Sequence, residues 1–310
     1  MPLRTTVIGS YPPSGSLPQD WMKNAIDDQL EVGLDVISDG QTRKGMIEYV
    51  AEVIGACESY QDGNATKWKI KRKIGCELNH TPLTWLREDF DYLRKRCKAD
   101  GRAKPGYMIA GPLTMVSSCE PHTKEYGSTP FRNPEIYMDM AEAIIGILKG
   151  IGADNAAEVH IDEPFASQQV PVKVALPAIE YLAKNIQTTV NLHVCGDVTN
   201  VFPKLVGLEG IDVLSHAFMG ADGQSNRELL DFKLQSYGKK LGVGCIDTAS
   251  AKVESVDEVV AVLRAAMNGQ DSDDIVVHPD CGLRGLGDRE IAFNKLKAMC
   301  KAAEVVRQVA

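Results

Sequence analysis

Asn191-Leu192-His193-Val194-Cys195-Gly196 and Val277-His278-Pro279-Asp280-Cys281-Gly282 each close an apolar, β-branched run, and they carry the chemistry of this chain. His193 and Cys195 are two residues apart, so on an extended strand both project from one face. Cys281 arrives from a run far downstream and could complete a His/Cys/Cys cluster. Imidazole and thiolate are the usual ligands of Zn²⁺, and three protein ligands with one open position mark a catalytic site. An open zinc position among thiolates suits the binding and ionisation of a substrate thiol. A lone H-x-C is equally compatible with cysteine packed as a small apolar side chain. Here both runs break into polar residues and glycine at their C-terminal ends, which favours a site. Cys245 lies near a further strand end and is a lesser candidate.

The elements that must position these residues are legible as alternating patterns. Apolar, β-branched segments at Thr5–Gly9, Leu34–Ser38, Gly106–Ala110, Ala157–Ile161, Thr189–Val194, Ile211–Ser215, Leu241–Ile246 and Ile275–His278 predict strands. Between them, Pro134–Gly150, Val174–Ile186 and Val256–Met267 carry Ala, Leu, Ile and Val at helical spacing, and Asp288–Val309 reads as a closing helix. Eight strands alternating with helices predict an α/β fold, a (β/α)8 TIM barrel. A doubly wound open sheet is the alternative, but no G-x-G-x-x-G follows the first strand. The stretch 42–104 is too long for one helix and its loops; its charged runs Lys67–Lys73 and Trp85–Lys98 predict a helical insertion after the second strand, over the barrel mouth. The chemistry-bearing strings all fall at C-terminal strand ends, the face where barrel active sites lie.

Composition narrows the class. The 310 residues are 44% hydrophobic and 25% charged, which suits one catalytic barrel over 1–310. A formal charge of −8, from 34 basic and 42 acidic residues, argues against a nucleic-acid or anionic-membrane partner. No apolar stretch approaches the ~20 residues that span a bilayer. The N-terminal residues lack the apolar segment of a secretion signal. Eight cysteines scattered without a C-x-x-C or a compact framework predict free thiols in a reducing cytoplasm.

In order along nearly the whole chain, Val7-Ile8-Gly9-Ser10-Tyr11-Pro12, Gly33-Leu34-Asp35-Val36-Ile37-Ser38-Asp39-Gly40-Gln41, Met46–Tyr49, Gly111-Pro112-Leu113-Thr114, Ile161-Asp162-Glu163-Pro164, the H-x-C and His278-Pro279-Asp280-Cys281-Gly282-Leu283 resemble the cobalamin-independent methionine synthases. The resemblance is to the catalytic C-terminal barrel alone, as in the short "core" methionine synthases. It implies methyl transfer to homocysteine, with His193, Cys195 and Cys281 as zinc ligands. It also implies that Ser10, Asp162 and the backbone near Ile8 hold the amino-acid part of the substrate.

Three departures from the family pattern bear on function. The family's glutamate zinc ligand falls at Ala217, with adjacent His216 as a possible substitute. The glutamate that helps bind the substrate amine falls at Gln41. The histidine acid of the folate-using enzymes falls at Asp247, whose unperturbed pKa near ~3.9 makes it a poor proton source. With no second barrel to complete a folate cleft, these features imply methylcobalamin or a methylated corrinoid as donor, free or on a corrinoid carrier protein. The alternatives are another small thiol acceptor such as coenzyme M, or a non-catalytic barrel that docks a corrinoid protein.

Overall fold

The computed structural model describes residues 3–168 and 171–308. Eight parallel strands form one sheet: β1 (Arg4–Thr5), β2 (Val36–Ile37), β5 (Lys104–Ala110), β7 (Glu158–Asp162), β8 (Thr189–His193), β9 (Val213–Ala217), β10 (Lys240–Gly244) and β11 (Ile275–His278). Their order, β1-β11-β10-β9-β8-β7-β5-β2, runs round a nearly closed barrel. The seam between β1 and β2 is held by side chains. Thr5 donates from its backbone N and its Oγ1 to Asp35 Oδ2 at 2.8 and 2.9 Å, and Asp35 N donates back to Thr5 Oγ1 at 3.0 Å. Arg307 clamps the same seam, donating to Leu3 O at 2.9 Å and to Asp35.

Helices pack outside the barrel because their apolar stripes match the apolar outer faces of the strands. Pro134–Ile151 starts at Asn133, whose side chain accepts from Glu135 N at 3.0 Å, and ends at Gly152 with φ 78°. Val256–Gly269 carries a Ser255/Glu258 capping box. The closing helix runs Arg289–Arg307, capped by Asp288; Val309, to which the expected helix extended, lies outside the described residues.

The barrel interior departs from the usual filling by Val, Ile and Leu. Glu158, His160, Asn191, Ser215 and His278 are all buried there with Thr6. Glu158 accepts from Thr6 Oγ1 at 2.7 Å, sits 2.7 Å from His160 Nε2 and pairs with Arg4. Gly242 makes room for the rest: a Cβ there would lie 2.1 Å from Ser215 Oγ and 2.8 Å from His278 Nε2.

The insertion after β2 is only in part helical. A short helix, Met46–Ala51, is followed by an antiparallel hairpin of β3 (Cys57–Asp62) and β4 (Ala65–Ile70), and β4 pairs in parallel with β6 (Cys119–Pro121). The helix His80–Asp100 then leads back to β5. The run Lys67–Lys73, expected in a helix, therefore lies largely in a strand. Its lysines alternate with buried Trp68 and Ile70, and Lys67 pairs across the hairpin with Asp62 at 2.5 Å, Lys69 with Glu58 at 3.1 Å. The period of two, not the charge, carries the structural information.

Candidate functional site

β8 ends on His193, beside Asp162 of β7 on one side and Ser215 of β9 on the other. Its side chain and that of Cys195 converge with Cys281, which follows β11. One imidazole nitrogen and the two sulfurs all lie within 4.8 Å of one another. His193 is 1% exposed, yet neither ring nitrogen has a hydrogen-bond partner. Buried polar atoms are almost always paired. An unpaired nitrogen of this buried ring beside two sulfurs fits a soft divalent cation such as Zn²⁺. The thiols are already polarised for it: a hydrogen bond from Cys195, and then the nearby charge of His193, hold the Cys281 thiol well below its usual range, while Cys195 is pushed up as the proton-bearing partner. Burial opposes a charge on His193, but the nearby charges of Cys281 and Asp162 raise its pKa overall.

The other strand-end candidates fall as follows. His216 is no substitute ligand: its ring points out of the barrel, with Nδ1 3.0 Å from Val194 O and the ring edge-to-face with Phe202. Cys245 is buried with Sγ 3.6 Å from His278 O, outside the cluster. His278 lies edge-on to His193 at 5.9 Å between ring centroids. Burial lowers its pKa to about 3, which keeps it neutral.

The first two strand-end loops are tied to the loop that carries Cys281 by backbone contacts. Gly9, at φ 59°, packs against Gly282: a Cβ on Gly9 would lie 3.2 Å from Gly282 Cα, and one on Gly282 would lie 2.9 Å from Ser10 N. Ser10 O accepts from Leu283 N at 2.7 Å and Arg284 N at 2.9 Å. Ile8 is buried just ahead of this turn. Tyr11 N donates to Gly40 O at 2.7 Å, joining the loop that carries Gln41. Gln41 has φ 43°, unusual for a residue with a Cβ. Its Nε2 donates to Met108 O at 3.0 Å, and its Oε1 is buried without a partner. Asp162 is likewise buried with Oδ1 unpaired, and burial pushes its carboxyl up to about 6. Two orphaned acceptors thus flank the end of β5, since Ala110 pairs with Asp162 and Gln41 holds Met108.

Several residues that sequence reasoning did not single out hold this arrangement together. Arg284 donates to Gln41 O at 3.1 Å, to Thr42 O at 3.1 Å and to Lys44 O, so one guanidinium fixes the loop after β2 to the loop after β11. Glu163 is fully buried and accepts from Leu113 N at 2.9 Å and Thr114 N at 2.7 Å, joining the loops after β5 and β7. Asp280 accepts from Phe218 N at 3.1 Å and Gly220 N at 2.6 Å, and also from Met219 N. The strings Asp-Glu-Pro and His-Pro-Asp-Cys were visible in the sequence, but their partners are backbone N–H groups, which leave no mark on composition.

Asp247 is half-buried, with Oδ1 accepting from Ala249 N at 2.8 Å. Its backbone is held from below by fully buried Lys295, which donates to Asp247 O at 2.9 Å and pairs with Glu254 at 3.0 Å. A Cβ on Gly220 would lie 2.9 Å from Asp247 Oδ1 and 3.2 Å from Asp280 Oδ2, so the two carboxyls meet over one glycine. Burial pushes Asp280 up to about 7.

A parallel (β/α)8 barrel with a His/Cys/Cys cluster at the C-terminal mouth is the architecture of a barrel enzyme with a candidate metal site. The chain belongs to the family described as cobalamin-independent synthase, catalytic domain, whose model matches residues 14–305. It is 32% identical to a methionine synthase of Methanothermobacter thermautotrophicus, across 96% of this chain and 99% of that one, and 29% identical to one of Methanocaldococcus jannaschii, across 98% and 99%. Its fold superposes with TM-score 0.82 on a B12-independent methionine synthase from Shewanella sp. W3-18-1 solved with selenomethionine, at 21% identity over 100% of this chain and 99% of that one.

The family description bears on one expectation. A methylcorrinoid donor, free or on a carrier, was expected from the lack of a second barrel and from Asp247 in place of a histidine acid; the family is described as cobalamin-independent, and that donor and carrier find no support in it. Among the described residues, no helix is long and apolar enough to cross a membrane.

Proposed function

We propose that this barrel is a zinc-dependent thiol S-methyltransferase that forms methionine from homocysteine. The observation that carries the reading is the convergence of His193, Cys195 and Cys281 within 4.8 Å, with both nitrogens of the buried imidazole unpartnered. A free alkyl thiol has a pKa of about 8.5 and is mostly protonated at neutral pH. Bound at these three side chains, Zn²⁺ would hold a substrate thiol in its ionised, nucleophilic form.

The chain's own residues orient the acceptor. Asp162 Oδ1 and Gln41 Oε1 are unpaired acceptors at the C-terminal strand ends, and together they suit the three donors of a substrate ammonium. Ser10 and the backbone at Ile8 stand on the Gly282 side and suit the substrate carboxylate. Held this way, the sulfur attacks the donor's methyl carbon in one displacement: the S–C bond forms from the sulfur lone pair as the donor–methyl bond breaks, its electrons staying on the donor. Positioning converts a two-body encounter into an oriented one. Ala217 leaves only three protein ligands, which keeps a position open for the substrate sulfur.

The test is methionine formation by the zinc-loaded protein from homocysteine, with methyltetrahydrofolate and methylcobalamin supplied in parallel and coenzyme M as the competing acceptor. Turnover of homocysteine that disappears with the metal supports the reading; methylation of coenzyme M in preference to homocysteine would overturn the acceptor.

A further inference from the structure

A cleft of about 580 Å³ opens at the barrel mouth between the loops that follow β7 and β8. Arg132, Lys173 and Lys204 all line it, and among the described residues none of their head groups has a carboxylate or hydrogen-bond partner. Other cations of the chain, such as Lys67, Lys184 and Arg289, are paired with carboxylates, whereas these three share one concave site without one. The one carboxylate in the lining, Asp197, is turned to its own loop and accepts from Thr199 N at 3.0 Å and Thr199 Oγ1 at 2.6 Å. The helix Val172–Lys184 begins at the same cleft with no acidic residue in its first turn, so its N-terminal dipole adds to the positive field.

The cleft adjoins the loop that carries Cys195. Ser167, in its lining, packs on Gly196, where a Cβ would lie 2.7 Å from Ser167 Oγ. Gly196 directly follows Cys195, and Asn226 fixes this loop by donating to Gly196 O at 2.9 Å and accepting from Val198 N at 3.0 Å. The cleft and the loop that carries Cys195 thus meet at the Ser167–Gly196 contact.

We propose that this cleft is an anion subsite that binds a phosphate- or carboxylate-bearing part of the methyl donor through Arg132, Lys173 and Lys204. The proposal rests on the methyltransferase reading for the identity of its ligand, but not for the binding itself. Three unpaired cations in one concave site make a focused positive potential. Arg132 adds a planar fork suited to either oxyanion.

The experiment is calorimetric titration of the zinc-loaded full chain with two probes, inorganic phosphate and tricarballylate, at low and at high salt. The wild type is expected to bind at least one probe, more weakly as salt screens the cations, with the tighter probe naming the donor chemistry. The Lys173→Gln, Lys204→Gln double variant is expected to lose about tenfold or more in that affinity, the size of effect about 1.4 kcal/mol produces. Zinc content and homocysteine affinity should be unchanged. No binding of either probe to the wild type, or equal binding by the double variant, overturns the subsite. A protein that binds the probe in this charge-dependent way but methylates no thiol retains the subsite and loses the methyltransferase reading.

Discussion

The cluster around His193 makes its sharpest claims one side chain at a time. Serine is a far poorer ligand for a soft cation than thiolate, so Cys195→Ser, Cys281→Ser should lose most bound zinc while keeping the barrel. Elemental analysis of purified protein beside its circular dichroism checks both halves, and full zinc occupancy in that double variant would remove the site. Asp162 makes a separable prediction. Asp162→Asn should raise the KM for homocysteine about tenfold or more and leave zinc in place, since a buried ammonium would lose its only ionised partner. The pH dependence has a definite sign. Burial raises the Asp162 carboxyl to about 6, so it is ionised and able to pair above that pH and protonated below it. The KM ratio of variant to wild type should accordingly shrink as pH falls through about 6. A ratio independent of pH would make Asp162 a structural carboxylate.

Loops act as units here because single side chains tie them together. Arg284 reaches three carbonyls of the loop after β2 while its own backbone and that of Leu283 bind Ser10. An ammonium cannot reproduce that fork, so Arg284→Lys should release the Gln41 loop from the Cys281 loop at a cost of about 1–3 kcal/mol. The expected result is a several-fold higher homocysteine KM with zinc retained, together with faster proteolysis within 41–46. An unchanged KM would show that the β2 loop contributes nothing to acceptor binding. Gly242 sets a packing limit inside the barrel. Gly242→Ala would drive a methyl to 2.1 Å from Ser215 Oγ, so it should lower the melting temperature in the manner of an overpacked core, which costs about 1–3 kcal/mol. Ser215→Gly in the same chain should recover part of that loss.

At the scale of the whole barrel, the buried Glu158 network couples stability to pH. Burial alone would raise Glu158, but the charge and hydrogen bond of His160, with Arg4 and Thr6, lower it from 4.5 to about 2. A depressed carboxylate contributes stability that is present above its unfolded pKa and lost as pH falls through its folded one. The wild type should therefore show an acid-dependent fall in melting temperature between about pH 4.5 and 2 that is shallower in Glu158→Gln. That variant should also lose about 3–5 kcal/mol near neutrality, because His160 and Arg4 are left unpaired. Thermal melts across pH read both effects, and parallel curves for the two proteins would show that Glu158 is not the titrating group.

Much of this was determined by the sequence alone. Strand and helix periodicity placed all eight barrel strands within a few residues, because apolar runs and amphipathic stripes are local patterns. The H-x-C spacing and the polar strand ends pointed to one face of one barrel. The hairpin Cys57–Ile70 was misread because its lysines suggested a solvated helix and masked the alternation with Trp68 and Ile70. Only the tertiary structure decided which polar side chains are left without partners. Orphaned atoms on His193, Asp162 and Gln41, the outward turn of His216, and the loop ties of Arg284, Glu163 and Asp280 all depend on contacts between segments far apart in the chain. Residue type and local spacing record what a side chain can bind. Burial and the position of distant backbone N–H and C=O groups, which exist only once the barrel closes, determine what it does bind.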